Sequence, residues 1–159
     1  MTLNETVLQK LADWSGPREG RQILAVADEG SGWAVNLTAD RHDDLSCALW
    51  EMSLQRTRLP AAGDSLSAWA GRVAERVSGL LEALSVLEAD IQRDEALLRS
   101  SPPSQRGNEL YYYEVRLRGL TQAMVRRYHA SHHKGRREQV AFALTHEALA
   151  KFATDLAAD

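Results

Sequence analysis

The stretch Leu110 to Arg118 constrains the fold more than any other, because Tyr111, Tyr113, Val115 and Leu117 alternate with Tyr112, Glu114, Arg116 and Arg118. A period of two sends neighbouring side chains to opposite faces of a strand. Apolar residues on one side and charged ones on the other predict an antiparallel strand with one covered and one wet face. Gly119 marks a tight reversal, Thr121 to Tyr128 returns as a partner, and Val140 to Leu144 supplies a last strand. Upstream, Leu87, Ala89 and Ile91 alternate with Glu88, Asp90 and Gln92, and a polar turn at residues 93–95 leads into a strand from Ala96 to Ser100. Residues 100–109, with Pro102, Pro103 and Gly107, are rich in turn formers and are expected to form a loop.

The first half mixes both periods. Thr2 and Glu5 have capping-box spacing ahead of Leu3, Val7, Leu8, Leu11 and Trp14, which share one helical face, and Ser15-Gly-Pro17 stops that helix. Two short runs, 21–27 and 33–38, flank Asp28 to Gly32 as a hairpin. Ala48, Trp50, Met52 and Leu54 alternate with Leu49, Glu51, Ser53 and Gln55, favouring a third strand; a short helix over 45–56 is the alternative. Leu66, Trp69, Ala70, Val73, Val77, Leu80, Leu81 and Leu84 keep helical spacing for about five turns after a cap at Asp64 or Ser65. Gly71 and Gly79 within that span offer a close approach, which makes the helix a candidate for a central or dimer contact. Thr145 caps a terminal helix with Leu149, Phe152, Ala153 and Leu156 on one face. The expected fold is α+β: an antiparallel sheet of about six to eight strands in two meanders, with N-terminal, central and C-terminal helices on one face.

Residues 1–159, 44% hydrophobic and 26% charged, suffice for a single domain with a real core. No apolar run approaches the ~20 residues of a membrane span, and no secretory signal opens the chain, so a cytoplasmic location is expected. The lone cysteine, Cys47, is expected to be a buried structural thiol. The formal charge of −3 is uneven: residues 114–138 hold seven basic residues and two glutamates, leaving 12 basic against 20 acidic residues elsewhere. So mild a total argues against a dedicated nucleic-acid binder and leaves room for a local basic site.

Chemistry concentrates at residues 126–137. Arg116, Arg118, Arg126, Arg127, Lys134, Arg136 and Arg137 form a candidate polyanion-binding set, since guanidinium groups pair with phosphate bidentately. His129, His132 and His133 are the candidate metal ligands, opposed by five surrounding cations and the lack of an adjacent carboxylate. A solvated hairpin loop is the plainer account of the segment. Tyr111 and Tyr113 point away from Tyr112, so Arg116 and Arg118 share their face with one aromatic, too few for base stacking. The acidic pairs at 43–44, 88/90 and 94–95 read as solvated acids. No phosphate loop, nucleophile elbow, HExxH helix, CxxC pair or dinucleotide fingerprint occurs, which weighs against an enzyme, and no cofactor is implied. Trp14, Trp33, Trp50 and Trp69 are expected in the core; exposed, they would anchor a partner.

In its order of elements the chain resembles the small dimeric type III secretion chaperones. That resemblance spans most of the chain, carries no motif, and implies a fold and a manner of partner binding; the basic segment and the Pro-Pro loop depart from the compact acidic character of such proteins. The expectation is a non-catalytic cytoplasmic adaptor or chaperone-like protein that binds another protein as a homodimer. Nucleic-acid or other polyanion binding through residues 126–137 is the alternative, and an enzyme or metal site at the histidines is a second.

Overall fold

Thr2 accepts the backbone N–H of Glu5 at 3.2 Å and donates its own N–H to the Glu5 carboxylate at 2.9 Å, a reciprocal cap that starts α1, Leu3–Ala12. Asp28 organises the first hairpin, accepting the N–H of Ser31 on its side chain and that of Gly32 on its carbonyl. Gly32 sits at φ +79°, which glycine adopts without strain, and the turn joins β1, Glu19–Asp28, to β2, Trp33–His42. The computed structural model describes residues 1–80, 82–131 and 135–157. Among them follow β3, Ser46–Arg56; α2, Leu66–Arg76; β4, Ala83–Asp90; β5, Glu95–Ser101; β6, Ser104–Arg106; β7, Glu109–Arg118; β8, Gln122–Ser131; β9, Arg137–Val140; β10, Phe142–Thr145; and α3, His146–Ala157.

The fold is α+β, with ten antiparallel strands and three helices among the described residues. The sheet runs β1-β2-β3-β8-β7-β5-β4. Its centre forks: Met52–Gln55 of β3 pair with Gln122–Val125 of β8, beyond which β3 takes β10 as its partner and β8 takes β9. Because β9 and β10 each run antiparallel to strands that oppose one another, the chain turns sharply at Ala141 in the fork's crotch. All three helices pack on one face, α3 touching both α1 and α2. Between the layers lies one core that includes Val7, Leu37, Met52, Trp69, Val115 and Leu149. Among the described residues no helix is long and apolar enough to cross a membrane.

Several expectations change in detail. Residues 46–56 are strand, and the expected loop at 100–109 contains β6, held only by pairing with β7. The central helix closes at Arg76 after three turns: Val77 is extended and Gly79 lies at φ +96°, so Leu84 reaches the core from a strand. Nothing approaches the Gly71 Cα hydrogens, so this glycine makes no close contact. The strand expected at 87–92 starts earlier, at Ala83, carries a bulge between Val86 and Glu88, and ends at Asp90, so Ile91 falls in the turn beyond it. Trp33 and Trp69 are buried, whereas Trp14 stacks on His42 at 3.8 Å just past α1. Trp50 is not in the core: register shifts around Ala39 turn Leu49 inward and leave Trp50 half-buried under the Arg21 guanidinium at 4.4 Å. Cys47 is buried as expected; burial, then the nearby Asp43 carboxylate, push its thiol up to about 11.

Candidate functional site

Strands β7, β8 and β9 carry five of the seven candidate basic residues, Arg116, Arg118, Arg126, Arg127 and Arg137, and their register sorts those residues between two faces. On the helix-free face the row Arg99, Glu114, Arg126, Glu51 crosses β5, β7, β8 and β3 with alternating charge. Glu114 is 4% exposed and takes Arg137 at 2.5 Å, Arg99 at 3.3 Å and Arg116 at 3.6 Å. Arg126 pairs with Glu51 at 2.9 Å, and Arg118 with Glu95 at 2.9 Å. The next row is aromatic: Tyr112 stacks on Tyr128 at 5.9 Å, Arg99 lies over Tyr112 at 4.7 Å, and Arg137 over Tyr128 at 3.9 Å. The expected wet face is therefore not wet at Tyr112 and Glu114, since arginine side chains lie across both and bury them.

Arg127 faces the other way, toward the helices, as alternation with Arg126 demands. Its Nη1 meets Glu82 Oε1 at 3.3 Å, and its guanidinium lies 4.3 Å from the Tyr113 ring and 5.9 Å from Tyr111. The Ser100 hydroxyl donates to Glu82 at 3.0 Å and accepts the N–H of Tyr113 at 2.7 Å. Further along, His129 stacks on Tyr111 at 4.9 Å and is held by two carboxylates, Glu138 at Nδ1, 3.0 Å away, and Glu109 at Nε2. Hydrogen bonds to Glu138 and then Glu109 raise the imidazole above its ordinary range.

The candidate basic residues thus do not share one surface. Arg116, Arg118, Arg126 and Arg137 are on the open face, Arg127 is beneath the sheet, Arg136 is exposed after β8, and Lys134 lies outside the described residues. Most of the expected basic loop is strand, because β8 continues to Ser131 and β9 resumes at Arg137. His132 and His133 also lie outside the described residues. For His129 the expected lack of a carboxylate is corrected: strand register delivers Glu138 opposite it, and Glu109 opposite Ser131 beside it. Among the described residues no three His, Cys, Asp or Glu side chains are placed to hold one metal ion. Sequence reading missed Glu82, Arg99, Glu109 and Glu138 as partners; the alternation of β5 and β7 was the available signal for Arg99 alone.

Two clefts flank this region on the Arg127 side. One, of about 290 Å³, is lined by Glu109, His129, Ser131, Arg136, Arg137 and Glu138. The other, of about 420 Å³, lies at the crotch of the fork and includes Arg106, Tyr111, Tyr113, Arg127, Val140 and Phe142. Comparison of the chain with protein-family models, curated sequences and solved structures finds no match, so the resemblance to secretion chaperones rests on element order alone.

Proposed function

We propose that the protein is a non-catalytic, protein-binding adaptor that works as a homodimer, two copies meeting along β4. The observation that carries this reading is the open edge of that strand. Among the described residues β4 pairs with β5 alone, which leaves its outer row of N–H and C=O groups free. Val86 is 43% exposed, Leu87 55% and Ile91, just past the strand, 88%. Edge strands are ordinarily blunted by charges, proline or bulges; the sequence Ala-Leu-Ser-Val-Leu-Glu-Ala-Asp has no lysine or proline, and its bulge between Val86 and Glu88 and its two acids are the blunting features it carries. A second copy fits by charge. Antiparallel self-pairing sets Glu88 and Asp90 of one chain beside Ala83–Ser85 of the other, so like charges never face each other, and a two-fold axis makes the contact self-complementary.

The other readings have less behind them. Polyanion binding needs free cations, and Arg116, Arg118, Arg126, Arg127 and Arg137 each have a glutamate within ion-pair reach. Acid–base catalysis by His129 needs a ring nitrogen for substrate, and carboxylates engage both.

Light scattering after size exclusion tests the proposal. At about 50 μM the wild type is expected at twice its 17.7 kDa chain mass, and Val86→Lys with Leu87→Lys at one chain mass with an unchanged circular dichroism spectrum. A wild type that stays at one chain mass, or a dimer that survives both lysines, would overturn it.

A further inference from the structure

Arg127 is a buried guanidinium used at one end only. Its side chain is 10% exposed and Nη1 meets Glu82, while among the described residues Nε and Nη2 make no hydrogen bond. Glu82, itself fixed by the Ser100 hydroxyl, holds one prong of the fork, and the Tyr113 ring beneath limits how it can swing. The cleft of about 420 Å³ opens beside it, with Tyr111, Tyr113, Val140 and Phe142 on its apolar side and Ser104 and Gln105 on its polar side. Arg106, exposed and without a carboxylate partner among the described residues, adds a second cation at the rim. Sites that bind small molecules set a rigidly held polar group beside an apolar surface, and Arg127 next to the Tyr113 and Phe142 rings supplies that pairing.

We propose that this cleft binds a small organic carboxylate, its two oxygens on the free prongs of Arg127 and its apolar body against Tyr111, Tyr113 and Phe142. A planar carboxylate matches the paired N–H groups of a guanidinium, which explains why arginine rather than lysine serves here. Arg106 draws the anion in, and Glu82 acts as a positioning residue that keeps Arg127 oriented. The same chemistry is offered by a free aromatic or aliphatic acid and by the C-terminal end of a peptide.

The test is an NMR titration of the full chain with benzoate, and with benzamide as its uncharged isostere. Benzoate is expected to shift the amides of Tyr113, Arg127 and Val140 with a dissociation constant of about 1 mM, and benzamide to leave them in place. N-acetyl-Gly-Gly-Phe, with free or amidated terminus, separates the sources: a free peptide about tenfold tighter than benzoate marks a chain end, and benzoate binding alone marks a small acid. Arg127→Gln by itself would strip Glu82 of its cation, so it is paired with Glu82→Gln, and this variant is expected to lose binding. Arg106→Gln, at the surface, is expected to keep the wild-type spectrum and bind about threefold more weakly. Absence of shifts to about 20 mM of either free acid, equal shifts with benzamide, or unchanged affinity in both variants would overturn the proposal.

Discussion

The indole N–H of Trp69 in α2 donates to the carbonyl of Leu156 in α3 at 2.9 Å, and both side chains are sealed from solvent. Leu156 belongs to the last turn of its helix, where carbonyls lack an intrahelical donor, so the indole satisfies a group that would otherwise be orphaned. Trp69→Phe keeps most of the buried area and removes that donor; a loss of about 1–2 kcal/mol is expected in urea unfolding. Trp69→Ala also opens a cavity and should cost about 3–5 kcal/mol. A Trp69→Phe protein as stable as wild type would show that the hydrogen bond adds nothing.

Glu114 is the one carboxylate shared by Arg99, Arg116 and Arg137. Glu114→Leu leaves those guanidinium groups crowded without a counter-charge and is expected to destabilise the fold by about 3 kcal/mol or more. Arg116, half exposed and farthest from the carboxylate, should matter little, with Arg116→Gln within about 1 kcal/mol of wild type. Chemical denaturation of both variants gives the comparison, and a Glu114→Leu protein as stable as wild type would refute the shared role.

His129 ties β8 to the start of β7 and to β9 through Glu109 and Glu138. Since folding raises the affinity of the ring for its proton, the tie is complete below the ordinary imidazole range and is lost as pH rises through the elevated folded-state value. The difference in melting temperature between wild type and His129→Gln should therefore be larger at about pH 5 than at about pH 9. A pH-independent difference would exclude the tie.

Cys47 needs its thiolate to react, and burial beside Asp43 disfavours that form. Iodoacetamide at about pH 8 is expected to label native protein only as fast as it opens, and urea-unfolded protein within minutes. Rapid native labelling would place the thiol at the surface.

Features written in adjacent residues were legible in the sequence. The Thr2–Glu5 cap and the Asp28–Gly32 turn each depend on partners a few positions apart, and the reversal at Gly119 on the positive φ of one glycine. Features decided by distant chain segments were not. The helical spacing of Val77, Leu80 and Leu84 continued past the point where Gly79 takes a positive φ, and the inward or outward choice at Trp50 hangs on a bulge opposite Ala39. Residues 104–106 become strand only because β7 offers an edge. At the candidate site, alternation separated Arg126 from Arg127, but their glutamates lie 75 and 45 residues away in the chain, beyond any local pattern.

The seam of the sheet joins residues 46–55 to 122–125 and 142–145, while α1 rests on α3. Between those sections runs the exposed connector 57–63, with Leu59 at 93% exposure. A protease nick there would interrupt the covalent chain and leave the interlocking of the two pieces intact. Fragments made separately on either side of it carry complementary surfaces and should reassemble on mixing, as a molecule held by its central weave rather than by its backbone.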